Sequence, residues 1–326
     1  MRVYNVYFAS CVKNGGIYHY HMDSTGRLSF VDKSACDRPM YMIRDGGRLY
    51  VVLREPFYDN CCSGIISYEI DEQGRLHSPT APISTKGRCG CHLCVLDGRI
   101  YAANYLSGSV FCSDGTLRIH VGCGKDNDRH KSPHPHCIVP TPDRKYLLTA
   151  DLGLNRIVIY DRGLNQIGDV SMPEGAGPRH IAWLDSTQAV CVNELGCSVT
   201  RLLYRNGTLT PEETISVRNK NCISSTCAAI RVMGKHIYVS NRGEDSLVVL
   251  QLGEDGLEVV SIQPCGGCTP RDFVMGGGFL LCANQDSGTV TLFRNEAKRL
   301  IPMRDSTVTG IPDVLCVCGD WEEGSI

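Results

Sequence analysis

The chain has 326 residues, and its 33 lysines and arginines nearly balance its 35 aspartates and glutamates, which leaves a formal net charge of −2 at pH 7. This balance argues against a general nucleic-acid binder and against a protein that coats anionic membranes. No stretch approaches the ~18 consecutive apolar residues of a transmembrane helix, and residues 1–10 lack the apolar core of a signal peptide. A cytoplasmic location is therefore expected, with no nucleic-acid or membrane partner.

Cysteine is frequent, with 19 residues. The number is odd, and several cysteines fall in strand-like runs where valine, alanine or serine would serve: Cys112, Cys191, Cys282 and Cys316. Free cysteine behaves as a small apolar residue that buries readily, so we expect free thiols in a reducing compartment. Two Cys-x-x-Cys pairs, at 91–94 and 265–268, lie far apart on separate repeats, which argues against a shared zinc site.

Three kinds of short run recur along the chain, at intervals of roughly 42 to 48 residues. The first kind alternates in polarity and usually opens on glycine or serine, and most copies lead into a Gly- and Leu-containing turn that is typical of hairpins. Its seven copies are residues 16–20, 64–68, 108–111, 156–160, 198–202, 246–250 and 288–293.

The second kind of run precedes the first and is mostly apolar, as expected for strands that are covered on both faces. Its copies are residues 4–8, 49–53, 100–104, 146–150, 189–193, 237–241 and 279–284. The third kind begins about ten residues earlier, a spacing that fits a short strand and a tight turn. Its copies begin at residues 39, 91, 134, 178, 226, 270 and 312.

The N-terminal repeat has no run of the third kind ahead of it, and the copy at residues 312–317 can supply it. We therefore predict an all-β chain that folds as one domain over residues 1–326, a seven-bladed β-propeller with four-stranded antiparallel blades. The C-terminal strand would join the N-terminal blade and remove the open sheet edge. A helical solenoid is the structural competitor, but the polarity period is two rather than 3.6.

Aligning the repeats places polar residues in two rings at one mouth of the channel. The first ring, to within one residue, is Tyr41, His92, His136, His180, Cys227, Asp272 and Asp313, with Arg179 and Arg271 directly ahead of two members. The second ring is Arg54, Tyr105, Asp151, Glu194, Arg242 and Gln285. Strand ends are often simply polar. Converging arginines and histidines nevertheless favour a pocket for a carboxylate or polyanion, and an imidazole or carboxylate there could act as a base.

Several motifs carry a family resemblance: Ser-Pro-His-Pro-His at 132–136, Gly-Pro-Arg-His-Ile at 177–181, Asn-Glu-Leu at 193–195, Ser-Asn-Arg-Gly at 240–243 and Pro-Arg-Asp-Phe at 270–273. In order and over essentially the whole chain, they resemble the seven-bladed lactonase family, which includes propeller-type 6-phosphogluconolactonases and fungal carboxymuconate-cyclising enzymes. The resemblance implies a catalytic set of His136 (or His134), Arg179, Glu194 and Arg271.

Each assignment has a structural alternative. Arg179 and Arg271 could cap loops or form ion pairs, and Glu194 could be a salt-bridge partner between blades. His134 and His136 could hold a metal on a regular strand, but Pro135 interrupts it, so no metal site is expected. The remaining mouth residues are predicted to bind substrate: His134, His180, Arg54, Arg242, Asp151, Tyr105 and Gln285.

The resemblance implies hydrolysis of 6-phospho-D-glucono-1,5-lactone to 6-phosphogluconate, with His136 or Glu194 as the base and the arginines stabilising the oxyanion. No cofactor is expected, because an activated ester needs only a base and an oxyanion site. Two alternatives stay open: another sugar lactone or the ring closure of a muconate, and a propeller that binds a ligand or protein without catalysis. The expected partner is a small anionic lactone, and the expected assembly is a monomer or weak homo-oligomer.

Overall fold

Each blade in the computed structural model is an antiparallel sheet that runs outward from a central channel, which confirms the predicted all-β seven-bladed propeller. The structure describes residues 2–57, 61–124, 129, 131–222 and 224–321. Within these ranges, no helix is long and apolar enough to cross a membrane.

The strands of the first three blades follow the predicted repeat. Blade 1 contains β1 (Val3–Ser10), β2 (Ile17–Asp23), β3 (Leu28–Ser34) and β30 (Val314–Gly319). Blade 2 contains β4 (Pro39–Asp45), β5 (Arg48–Leu53), β6 (Cys62–Ile70) and β7 (Leu76–His77), and β8 (Ile83–Arg88) pairs with β6. Blade 3 contains β9 (Gly90–Leu96), β10 (Arg99–Asn104), β11 (Ser109–Cys112) and β12 (Leu117–Ile119).

The next three blades have four strands each. Blade 4 contains β13 (Pro135–Pro140), β14 (Tyr146–Asp151), β15 (Arg156–Asp161) and β16 (Gln166–Ser171). Blade 5 contains β17 (Pro178–Trp183), β18 (Gln188–Asn193), β19 (Ser198–Arg205) and β20 (Thr208–Ser216). Blade 6 contains β21 (Thr226–Met233), β22 (His236–Arg242), β23 (Ser246–Gly253) and β24 (Gly256–Pro264).

Blade 7 contains β25 (Pro270–Gly276), β26 (Phe279–Asn284), β27 (Thr289–Asn295) and β28 (Leu300–Pro302). A short 3-10 helix (Arg304–Ser306) follows, and β29 (Val308–Thr309) pairs with β27. Blades 2 and 7 thus each carry one short strand beyond the common four.

The ring closes as predicted, because β30 pairs antiparallel with β1. The strand starts at Val314 rather than at residue 312, since Pro312 has no N–H to donate and Asp313 has a positive φ of 46°. The innermost strands then contact one another in a closed order: β4, β9, β13, β17, β21, β25, β30 and back to β4.

The second strands are apolar on both faces because each packs between two neighbouring blades. In blade 5, for example, Val190 and Val192 of β18 belong to one buried cluster with Ile230 and Val239 of blade 6. All 19 cysteines are free thiols, and those predicted to replace apolar strand residues, such as Cys191 and Cys282, are fully buried. Covering both faces explains why these runs lack the polar alternation of an exposed sheet.

A β-bulge near the start of the innermost strand occurs in all seven blades. In blade 4, for instance, Pro135 pairs with Asp151 and Cys137 with Ala150, so His136 has no partner in the register. A bulge re-aims the extra residue away from the regular alternation. The residues that the register skips in six blades are Met40, Cys91, His136, Arg179, Arg271 and Leu315.

Trp321 secures the closing strand and provides a test of its importance. Its side chain is buried, meets the Tyr4 ring edge-on, and lies where a Cβ at Gly276 or Gly319 would have to be. Trp321→Ala should therefore lower the free energy of unfolding by about 3–5 kcal/mol. Urea unfolding measures this, with Phe30→Ala as the control, because Phe30 is 57% exposed. A loss for Trp321→Ala no larger than the control's would contradict the role.

Candidate active site

The bulged residues converge on one end of the channel, where they line a pocket with Tyr41, His180 and Asp272. We call it the front pocket. His136, Arg179 and Arg271 are therefore equivalent positions of three blades. The sequence alignment placed His136 level with His180 instead, whereas the strand registers make Pro135 the counterpart of Pro178 and therefore His136 the counterpart of Arg179.

Glu194 follows β18 and lies almost fully buried at the edge of this pocket. Its two oxygens face three guanidinium groups. Oε1 lies 2.5 Å from Nη1 of Arg129, and Oε2 lies 2.8 Å from Nε of Arg179 and 3.0 Å from Nη2 of Arg242. The Arg179 contact is an ion pair without hydrogen-bond alignment at Nε. We call Glu194 and these three arginines the arginine cluster.

The arginine cluster decides the charge of Glu194. Burial alone would raise the pKa of this carboxyl, but Arg242 and Arg179 outweigh it and hold the pKa well below its usual range. Both oxygens of this carboxylate are engaged by guanidinium groups, whereas the buried Nδ1 of His136 has no hydrogen-bond partner among the described residues. Of the two bases that the sequence left open, the geometry therefore favours His136, with Glu194 as the anchor of the arginines.

His136 is 5% exposed and its ring meets the rings of His180 and Tyr105 edge-on, with centroids 5.3 and 5.4 Å away. Burial, reinforced by the nearby Arg179 charge, holds the pKa of His136 well below its usual value. The imidazole is therefore neutral near pH 7. Its buried Nδ1 has no hydrogen-bond partner among the described residues, which is uncommon for a buried polar atom and frequent at functional sites.

Arg271 contrasts with the arginine cluster because its hydrogen bond goes to a neutral group, Oε1 of Gln285, at 3.3 Å. Burial and the charge of Arg242 lower the pKa of Arg271, yet a guanidinium remains charged at neutral pH. Arg54 is only partly buried and lies within electrostatic reach of Arg271. These two arginines form a second positive group at the same mouth.

Of the seven residues predicted to bind substrate, His180 lines the front pocket, whereas the other six are not among its lining residues: His134, Arg54, Arg242, Asp151, Tyr105 and Gln285. Asp151 is fully buried, with Oδ2 2.6 Å from Nδ1 of His120 and Oδ1 accepting backbone hydrogen bonds from His134 and Leu154. His134 stacks on Tyr105 at 4.4 Å, and its Nδ1 lies 3.0 Å from the Tyr105 carbonyl oxygen. The structure thus brings His136, Arg179, His180 and Arg271 to the pocket and places Asp151 behind it.

Sequence reasoning missed two arginines that shape the channel. Arg129 lies in the connection between β12 and β13, which has no counterpart in the repeat alignment. Arg231 donates a hydrogen bond of 2.8 Å to Oδ1 of Asp272, and it lines a cavity at the other end of the channel. Tyr41 lines both that cavity and the front pocket. The ion pair of Arg231 and Asp272 therefore lies between the two.

Comparison with known proteins supplies an independent view of the chain. Residues 5–317 match the family described as "Lactonase, 7-bladed beta-propeller". A Staphylococcus epidermidis protein of uncharacterised function is 30% identical over 320 residues, which cover 89% of this chain and 92% of that protein.

Two solved structures share both the architecture and part of the sequence. A Bacteroides fragilis protein, provisionally described as a 6-phosphogluconolactonase, has a TM-score of 0.86 at 25% identity and covers 97% of this chain and 98% of its own. A Lactobacillus plantarum protein has a TM-score of 0.87 at 26% identity, with 98% and 99% of the two chains covered. The match extends over all seven blades in each case.

Proposed function

The chain belongs to the family of seven-bladed β-propeller lactonases, and from this premise we propose that it hydrolyses a phosphorylated sugar lactone, 6-phospho-D-glucono-1,5-lactone, to 6-phosphogluconate. The observation that carries the proposal is the set of bulged residues at the front pocket, where a neutral histidine of blade 4, His136, shares the lining with Arg179 of the neighbouring blade 5 and Arg271 of blade 7. Attack of water on a lactone carbonyl requires a base beside a cation that stabilises the oxyanion, here His136 and Arg179, and Arg271 is a second cation for the anionic group of the substrate.

The charge of the mouth supports an anionic substrate. Within the arginine cluster, three guanidinium groups lie within 3.0 Å of the Glu194 carboxylate. Arg271 and Arg54 add two more guanidinium groups at the same mouth, and the hydrogen bond of Arg271 goes to the neutral Gln285. A dianionic phosphate gains most from guanidinium groups in a partly desolvated site, because their planar fork matches its oxygens.

The proposed reaction needs only groups of the front pocket. Water adds to the lactone carbonyl carbon while His136 takes one of its protons, and Arg179 stabilises the negative charge that forms on the carbonyl oxygen. The tetrahedral intermediate then collapses, the bond between the carbonyl carbon and the ring oxygen breaks, and His136 returns the proton to the departing ring oxygen. The product is the open-chain acid, and His136 is neutral again.

Arg271→Ala should separate phosphate binding from the chemistry. We expect KM for the phosphorylated lactone to rise about 10- to 100-fold, the effect of losing one charge-assisted contact. KM for unphosphorylated glucono-1,5-lactone should change less than about threefold, because no phosphate contact is lost. The measurement is the initial rate of lactone loss, corrected for spontaneous opening in water.

Arg294→Ala is the matched control, since Arg294 is exposed on β27 of the same blade. Equal effects of Arg271→Ala on the two lactones would refute the phosphate assignment. Full rates for both Arg179→Ala and Arg271→Ala would refute the site itself.

A substrate panel tests the remaining alternatives. Preference for another sugar lactone, or closure of a muconate ring, would assign the protein a different activity of the same family. A stable protein complex without lactone turnover would instead favour a binding propeller. The cytoplasmic location and the monomeric or weakly oligomeric state stay predictions.

A further inference from the structure

Arg129 differs from the other two arginines of the arginine cluster in its access to solvent. Its side chain is 42% exposed, against 2% for Arg179 and 16% for Arg242. It therefore presents a guanidinium to the open side of the mouth while it remains paired with Glu194. A guanidinium in this position can contact an entering anion and keep its ion pair with Glu194.

Tyr105 fixes the direction of Arg129 from the other side. The Tyr105 hydroxyl accepts a hydrogen bond of 2.7 Å from Nη2 of Arg129, and the guanidinium carbon lies 6.0 Å from the centre of the ring. The Tyr105 ring in turn stacks on His134 at 4.4 Å, nearly parallel at 10°. Arg129 is thus held between Glu194 and a tyrosine whose ring is supported by His134.

Asp151 connects both ends of the chain segment that carries Arg129. Its Oδ2 lies 2.6 Å from Nδ1 of His120, directly after β12, and its Oδ1 accepts a hydrogen bond of 2.8 Å from the backbone N–H of His134, directly before β13. The carboxylate is fully buried. One buried carboxyl group therefore connects His120 and His134, the residues at the start and the end of this connection, to the end of β14.

The position of the ring proton on His120 determines the direction of its hydrogen bond with Asp151. Nδ1 of His120 faces a carboxylate, which only accepts, so Nδ1 carries a proton and donates it to Asp151, while Nε2 lies 2.7 Å from the hydroxyl of Tyr160, which can donate or accept. Every polar atom of the buried chain Tyr160, His120 and Asp151 is then satisfied. Such a network holds its members in one geometry, because any displacement leaves a buried polar group unpaired.

We propose that Arg129 is a further substrate-binding residue of this site and that Asp151 is the positioning residue that sets it, through the backbone of His134 and the His134–Tyr105 stack. The substrate part rests on the proposed lactone hydrolysis, and Arg129 would contact the anionic part of the lactone. Asp151 never touches the substrate. It acts by keeping Arg129 in reach of both Glu194 and the mouth.

A double-mutant cycle tests the proposal. Arg129→Ala should raise KM for the phosphorylated lactone about tenfold, the effect of one lost charge-assisted contact, with kcat within about threefold. Asp151→Asn should raise KM nearly as much, and the double variant no more than the larger single effect, because the two residues act on one contact. Independent, multiplying effects would overturn the link between Asp151 and Arg129.

A second readout does not depend on lactone turnover. Trypsin cleaves after arginine, and a guanidinium held by Glu194 and Tyr105 is a poor substrate for it. Asp151→Asn should therefore speed cleavage after Arg129 at least about fivefold in folded protein, as mapped by mass spectrometry. Asp169→Asn is the matched control, since Asp169 lies on β16 of the same blade and pairs with Arg156 at the surface.

The two readouts separate failure of the inference from failure of the proposed function. Unchanged cleavage after Arg129 in Asp151→Asn overturns the positioning role, whatever the protein catalyses. If neither the wild type nor Asp151→Asn turns over lactone, but cleavage after Arg129 is faster in the variant, the positioning role is supported and the proposed function is overturned. An unchanged KM in Arg129→Ala, with lactone turnover intact, overturns the substrate contact.

Discussion

Glu194→Gln is expected to lower kcat/KM for the lactone on the order of 100-fold and the free energy of unfolding by about 3 kcal/mol. The reason is that one carboxylate holds Arg129, Arg179 and Arg242 together. Its removal leaves guanidinium charges that repel one another, two of them in largely buried side chains. Initial rates and urea unfolding at neutral pH measure the two effects.

Two comparisons sharpen this result. Glu212→Gln, an exposed glutamate on β20, should stay within about 0.5 kcal/mol of wild type. Inorganic phosphate should stabilise the Glu194→Gln variant more than wild type, because an anion can replace the missing carboxylate charge. A variant that is as active and as stable as the Glu212→Gln control would refute the arginine cluster as the organiser of the site.

The contribution of Glu194 to stability has a defined pH dependence. Its pKa is lowered in the folded state, so its contribution is fully present above the unfolded-state pKa of about 4.3 and is lost as the pH falls through the lower folded-state value. The stability difference between wild type and Glu194→Gln should therefore be constant from about pH 7 to pH 5 and shrink only in more acidic solution.

His136→Gln is expected to lower kcat about 10²- to 10³-fold, the range for loss of a general base. KM should change little, because the arginines that hold the substrate stay in place. The fold should tolerate the change, since the buried Nδ1 of His136 has no partner among the described residues that would be left unpaired. Single-turnover and steady-state rates, corrected for spontaneous lactone opening, separate the two constants.

The pH dependence of the rate tests whether His136 is the base. The base must be neutral to accept a proton, and burial and Arg179 lower the pKa of His136. The wild-type rate should therefore be level through neutral pH and decline only well below the ordinary histidine pKa of about 6.5. His77→Gln is the control, because His77 is an exposed histidine on β7, far from the front pocket lining. Full activity of His136→Gln would exclude the histidine as the base.

The sequence by itself determined the architecture. Alternating strands, apolar second strands and glycine-containing turns recur seven times, and each depends on residues that are neighbours in the chain. The missing N-terminal strand and its C-terminal replacement were predicted from the same count, and β30 pairs with β1 accordingly. Local patterning suffices for these features because strand period and turn chemistry are local properties.

The tertiary structure decided which charged side chains meet at the mouth of the channel. The one-residue bulges bring His136 into the ring of Arg179 and Arg271, and a bulge leaves no clear mark in a short alternating run. Repeat alignment also treated Asp151 and Glu194 as equivalent ring members. The fold instead buries Asp151 behind the connection that bears Arg129 and surrounds Glu194 with guanidinium groups from separate blades. Charge and protonation depend on such partners, which are distant in the chain and meet only when the ring closes.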